Sequence, residues 1–143
     1  FKQINDTRGH QAGDEVLRAM AEALQKMVRT EDLVARFGGE EFVVLARSID
    51  EKGATVFAER LRATVEGMRV PWEQHVIRLT VSVGVAHCDA KFQYTSAEAM
   101  VAAADGALYR AKHAGRNRVV VAERESALPP ALRAMSKTVG HDP

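Results

Sequence analysis

Two glycines precede two carboxylates at Gly38-Gly39-Glu40-Glu41, with Phe42 behind them. Glycine lets a ligand's phosphates come close to the backbone. Carboxylates hold Mg²⁺, which takes one or two protein oxygens and fills its shell with substrate and water. Side chains next to each other on a regular strand face opposite ways, so Glu40 and Glu41 share a site only where a turn breaks the pleat. The same four residues also fit a hairpin tip with two solvated charges.

Cations occur at the other end of the chain. Lys112-His113-Ala114-Gly115-Arg116-Asn117 places Lys112 and Arg116 about one helical turn apart. Lys and Arg in a last turn complement the helix dipole, and Gly115 suits a C-terminal cap. The alternative is a pair of cations aimed at a polyphosphate. Lys2, Asn5 and Asp14 are equally two-sided. Asn and Asp are common in turns and caps, yet an amide and a carboxylate together read a guanine edge by hydrogen bonds. Arg29-Thr30-Glu31-Asp32 fits a helix end followed by a turn, or an anion clamp in which Asp32 orients Arg29. The five histidines show no metal-ligand spacing, and Ser82 has no G-x-S-x-G context. Neither G-x-G-x-x-G nor a Walker A pattern is present. Cys88, the single cysteine, reads as a small buried residue and has no partner for an intrachain disulfide.

Positioning these groups requires helices and strands, and their periods are legible. Residues 1–14 are dense in turn formers and read as loop. Val16, Leu17, Met20, Leu24, Met27 and Val28 then predict an amphipathic helix starting near Gly13 or Asp14, with Asp14 as N-cap. Two apolar runs, 33–37 and 42–47, flank the Gly-Gly pair as a hairpin whose glycines would take positive φ. A second helix is expected over 50–68, on the face of Ala54, Phe57, Ala58, Leu61 and Val65, with Pro71 blocking its continuation. Alternation over 75–87 predicts one strand with Gly84 and Ala86 on its small face. Thr95 and Glu98 suggest a capping box. The helix behind it, on Met100, Val101, Ala104, Leu108 and Ala111, ends at Gly115, and 118–122 is a last strand. The hairpin and the order helix, hairpin, helix, strand, helix, strand favour an α+β sandwich with a mostly antiparallel sheet.

The chain has 143 residues, one domain's worth, with 46% apolar and 27% charged residues, as in a globular protein. A net charge of +1 argues against a general nucleic-acid polymer binder. No apolar run reaches membrane-spanning length, so no membrane contact is expected of this domain. No signal peptide is visible. The start at Phe1 rather than Met reads as a fragment or a processed chain. Residues 1–122 are expected to form the domain and 123–143, which hold three of the four prolines, a flexible tail.

Taken in order, Phe1-Lys2-Gln3-Ile4-Asn5-Asp6, Gly9-His10, Gly13-Asp14, Arg36-Phe37-Gly38-Gly39-Glu40-Glu41-Phe42, Ala58-Glu59-Arg60-Leu61-Arg62, Thr80-Val81-Ser82-Val83-Gly84-Val85-Ala86, Ala104-Asp105-Gly106-Ala107-Leu108-Tyr109-Arg110-Ala111-Lys112 and Gly115-Arg116-Asn117 resemble the GGDEF-domain diguanylate cyclases. The likeness runs to about Val121. It implies the palm-like, ferredoxin-like sandwich of nucleotide cyclases and polymerases, a central sheet flanked by helices. It also implies condensation of two GTP into cyclic di-GMP across a homodimer with Mg²⁺ or Mn²⁺, in the cytoplasm, under an upstream sensor domain. By position Glu40 and Glu41 resemble the acidic catalytic and metal residues, and Asn5 and Asp14 the guanine readers. Lys2, Lys112 and Arg116 match the phosphate cations, and Gly38 and Gly39 the turn on which GTP lies. Arg29 and Asp32 match an R-x-x-D inhibitory product site, with Arg60 as a second contact from a neighbouring domain. A further acidic residue of the family lies four positions before the Phe that is Phe1 here, on a first strand missing from this chain. By that resemblance the chain alone would bind Mg²⁺ poorly, turn over little GTP and be poorly stable. The alternative is a non-catalytic module that binds GTP or cyclic di-GMP.

Overall fold

A computed structural model of the chain describes residues 1–124. Its elements are α1 (Lys2–Arg8), α2 (His10–Met27), β1 (Leu33–Arg36), β2 (Phe42–Leu45), α3 (Glu51–Gly67), β3 (Val70–Trp72), β4 (His75–Ile77), β5 (Val83–Val85), α4 (Ala97–His113) and β6 (Val119–Val121). The tail expected over 123–143 falls, from residue 125 on, outside the described residues.

The α+β class holds, but the strands form three separate two-stranded ladders rather than one central sheet. β1–β2 and β3–β4 are antiparallel, while β5–β6 is parallel. Parallel pairing follows from the connection: β5 leads into α4, and the helix returns the chain so that β6 runs in the same direction. The expected single strand over 75–87 is therefore two strands, because β4 serves β3 and β5 serves β6. β3 escapes a sequence reading because Pro71 looks like a breaker. It is exposed on a two-stranded ribbon, where a missing N–H is tolerated.

Residues 1–14 are helical, not loop. One break, Gly9 at φ 83°, separates α1 from α2, and Gly9 donates its N–H to the Asn5 carbonyl at 2.9 Å. Asp14 therefore sits inside α2 and is not its N-cap. The poor helix propensities of Asn5 and Asp6 cost less than about 0.7 kcal/mol each. Burying a large apolar side chain is worth about 1.5–3 kcal/mol, and Phe1 and Ile4 pack on the cluster of Ala12, Val16, Val70 and Ile77. Packing wins.

The other helices start as their sequences indicate, with one shift. Asp50 caps α3 by accepting the Gly53 N–H at 2.7 Å, a contact typically worth about 1 kcal/mol. For α4 the cap is Ser96, which accepts the Ala99 N–H at 3.1 Å, and not Thr95. Gly115, at φ 110°, lies just past the end of α4. The buried positions of α4 are Ala107 and Ala111, whereas Val101 is exposed. That small-residue face lets α4 settle against β5, so the small face of the strand receives a helix.

His87 is a packing histidine: Nδ1 accepts from Arg124 at 3.0 Å and Nε2 lies 3.0 Å from the Ile49 carbonyl, which assigns the proton to Nε2. Cys88 is exposed, contrary to the sequence reading. It directly follows the buried His87.

Candidate functional site

The tip between β1 and β2 is closed by main-chain bonds. The Glu41 carbonyl accepts the N–H groups of Phe37 at 2.8 Å and Gly38 at 3.3 Å. Arg36, paired with Phe42 at the end of the ladder, turns back over the tip. Its Nε donates to the Gly38 carbonyl at 3.1 Å and an Nη to the Gly39 carbonyl at 2.6 Å. Neither glycine has positive φ, so the expected left-handed turn is not the reason for the pair. A Cβ on Gly38 would stand 3.3 Å from a Glu41 carboxylate oxygen, whereas a Cβ on Gly39 would meet nothing, so contacts within the chain bear on Gly38 alone.

α1 meets α2 at Gly13. A Cβ there would overlap the Asn5 side-chain oxygen and come within 3.1 Å of the Phe1 ring. Gly13 thus seats Asn5, whose Oδ1 is buried and finds no donor among the described residues. Beside this contact a cleft of about 650 Å³ brings Lys2, Asn5 and Asp14 together with Gly39, Glu40 and Glu41. Arg36 lines it as well. Six of the sequence-designated residues, drawn from two helices and a hairpin, share one concavity.

Lys112, in the last turn of α4, does not line the cleft but meets Glu41 at its edge. Its Nζ is 3.4 Å from Glu41 Oε1, with both side chains about two-fifths exposed. Gly38 sits under Glu41, as described above. Arg116 is not among the residues lining the cleft. It follows Gly115 with φ 61°, and Asn117 has φ 47°, so two non-glycine residues occupy the left-handed region. Arg62 holds this strained turn: it donates to Asn117 Oδ1 at 2.6 Å and to Glu66 at 2.8 Å. Asn117 in turn donates to Glu66 at 2.8 Å. The Arg62 and Asn117 hydrogen bonds hold the Glu66 carboxyl below its ordinary range.

Asp32 does not orient the Arg29 guanidinium. It accepts the main-chain N–H of Arg47 at 3.0 Å and of Arg29 at 2.9 Å, tying the exit of α2 to the exit of β2. These two bonds, that of Arg47 foremost, lower the Asp32 carboxyl from its ordinary value. A depressed carboxyl stabilises the fold above its unfolded pKa, and the contribution is lost as pH falls through the folded value. Asp32→Ala is therefore expected to flatten the acid limb of the stability curve below about pH 4. Thermal melts at neutral and acid pH check this; an unchanged difference between wild type and variant across that range would contradict it. Arg29 remains exposed, and Arg60 is exposed on α3 with its guanidinium 5.5 Å from the Phe57 ring centroid.

Sequence reasoning missed Arg36 and Arg62 as positioning groups. Arg36 stands two residues before the Gly-Gly pair, where a strand ends, which is the one available hint. Arg62 carries none, since its partner Asn117 is 55 positions away.

A family model described as "Diguanylate cyclase, GGDEF domain" matches residues 1–118. The chain belongs to the GGDEF-domain family. This GGDEF domain is 42% identical over 123 residues to diguanylate cyclase A of Treponema denticola, covering 86% of the present chain and 33% of that protein. It thus spans about a third of the length of that relative. Among solved structures it is similar to the GGDEF domain of PA1120 (YfiN or TpbB) from Pseudomonas aeruginosa, with a TM-score of 0.77 and 32% identity. That match covers 87% of this chain and 76% of the other. It is also similar to the GGDEF domain of DgcB from Caulobacter crescentus, solved in complex with c-di-GMP. There the TM-score is 0.76 and the identity 32%, over 84% of this chain and 70% of the other.

Among the described residues no group of three or more His, Cys, Asp or Glu side chains gathers as a ready metal cage, and no helix is long and apolar enough to cross a membrane. The two tip carboxylates still suit a divalent cation that brings its own oxygens. Mg²⁺ takes one or two protein carboxylates and completes its shell with phosphate and water. Both carboxylates line the cleft of about 650 Å³.

Proposed function

We propose that this GGDEF domain condenses two GTP into cyclic di-GMP and two pyrophosphates. The observation that carries this is the single cleft in which Glu40 and Glu41 face Asn5 and Asp14, with Lys112 at Glu41. Guanine offers two N–H donors and a carbonyl acceptor on one edge. Asp14 accepts from the donors, and the Asn5 amide bonds beside it. Lys2 and Lys112 neutralise phosphate oxygens, and Arg116 reaches the outer end of the polyphosphate. Gly39, with no Cβ, leaves the nucleotide room against the tip. Glu40 and Glu41 hold Mg²⁺ or Mn²⁺, which supplies charge neutralisation on the α-phosphate and on the departing pyrophosphate.

One domain carries one nucleotide, so two copies must face each other. The 3′-oxygen of each GTP attacks the α-phosphorus of the other, two P–O bonds form, and the two bonds to pyrophosphate break. Glu41 stands nearest the tip's main-chain closure and holds the site's second negative charge close to the attacking hydroxyl. In the absence of nucleotide Lys112 partners Glu41, and phosphate competes for this cation on binding. The domain works in the cytoplasm, downstream of a sensor. Product binds at Arg29 and Asp32, with Arg60 of a neighbouring domain, and slows further synthesis. Asp32 contributes there by shaping the turn that presents Arg29.

The test uses the complete parent protein with GTP and Mg²⁺, and ATP in parallel. Cyclic di-GMP and pyrophosphate in a one-to-two ratio are expected from GTP alone. GTP binding without product leaves only the binding-module reading, and no binding removes both. With added cyclic di-GMP, Arg29→Ala should escape the inhibition seen in wild type; equal inhibition would sink the feedback site.

A further inference from the structure

We infer that Arg36 is a positioning residue that clamps the hairpin tip in the shape that receives a polyphosphate. The inference rests on the nucleotide reading of the cleft. Arg36 makes two hydrogen bonds in the tip, both to consecutive glycine carbonyls, at 3.1 Å and 2.6 Å. A guanidinium is a planar fork of fixed donors, so two such bonds set the orientation of two peptide planes at once.

The consequence lies on the opposite side of those planes. Across a trans peptide the C=O and N–H point in opposite directions. Turning the Gly38 and Gly39 carbonyls toward Arg36 therefore turns the N–H groups of Gly39 and Glu40 away from it. Neither N–H finds an acceptor among the described residues. Two consecutive free donors, adjoining Glu40 and Glu41 in the chain, suit the oxygens of an anion held at the tip. Without the guanidinium, both glycine peptides are free to rotate, because glycine restricts φ and ψ least. The donors would then be ordered only when ligand binds, at a cost to affinity.

Lysine does not replace this function. Its ammonium keeps the charge but has no rigid fork. Arg36 is exposed and lies at the end of a ladder, so its removal leaves the core intact.

The experiment compares wild type, Arg36→Lys and Arg36→Ala in two measurements on the complete parent protein. The first is the backbone amide dynamics of Gly38, Gly39 and Glu40 by NMR without ligand. The second is binding of GTP with Mg²⁺ by calorimetry. The expected result is ordered tip amides in wild type and mobile ones in both variants. Affinity should fall about tenfold in Arg36→Ala and a few-fold in Arg36→Lys, with thermal midpoints unchanged. Methylguanidine in solution should restore tip order and part of the affinity to Arg36→Ala, a rescue that lost packing would not give. Equally ordered amides in Arg36→Ala overturn the clamp, as does unchanged nucleotide affinity. If wild type binds no nucleotide, the reading of the cleft fails and takes the polyphosphate role with it, while the amide dynamics still decide whether Arg36 orders the tip.

Discussion

Glu40→Gln in the complete protein is expected to lower cyclic di-GMP formation by about a thousandfold, the scale of losing several kcal/mol of metal-mediated charge stabilisation. The substitution keeps the shape of the side chain and removes its charge. Glu40 is exposed at the tip, and the hydrogen bonds that close the turn come from Arg36, Phe37, Gly38 and the Glu41 carbonyl. Folding should therefore be untouched, and a circular dichroism melt of the variant should overlay wild type. The apparent Mg²⁺ requirement should rise, because a carboxamide is a poorer ligand for a hard cation. Glu41→Gln is informative beside it: besides its charge it loses the Lys112 partner. Turnover in Glu40→Gln within threefold of wild type would remove Glu40 from the mechanism.

The second large effect concerns stability. Gly84 is the central residue of β5, and α4 lies directly on it. A Cβ at this position would overlap the Ala104 carbonyl oxygen and stand 3.0 Å from Leu108 Cα. These are backbone atoms of a helix, so no side chain can rotate aside. Gly84→Ala must push α4 off the β5–β6 ladder, and overpacking of this kind costs about 3 kcal/mol. A loss of that size should lower the thermal midpoint by roughly 10 °C or more. Activity should fall as well, since α4 carries Lys112 to Glu41. Gly67→Ala is the control: it sits at the end of α3 with open space around its added carbon. Should Gly84→Ala melt with wild type, the close approach of α4 to β5 is not present in solution.

Much of this domain is readable without coordinates. The hairpin around the Gly-Gly pair, α3 starting at about Asp50 and the helix ending before Gly115 all follow from local rules. Capping, turn chemistry and the 3.6-residue period act over a few positions, so a short window contains them. Three misreadings share one cause. Residues 1–14 look like a loop because Asn, Asp and Gly favour turns, yet Phe1 and Ile4 are drawn onto Val16 and Ile77 and the segment becomes helix. Residues 75–87 look like one strand because alternation persists, yet their two ends find different partners. Asp32 looks like a partner for a guanidinium and instead accepts two main-chain N–H groups, one of them 15 positions away.

The amino-acid order by itself determined which chemical groups are present and which short stretches curl or extend: acidic residues behind glycines, cations at a helix end, an amide and a carboxylate near the start. Tertiary structure alone decided that these groups meet. Glu41 and Lys112 are 71 positions apart and 3.4 Å from each other. That distance depends on a glycine under a helix, an arginine over a turn and an apolar cluster beneath α1 and α2. Burial and close packing act between segments remote in the chain, and no local window records them.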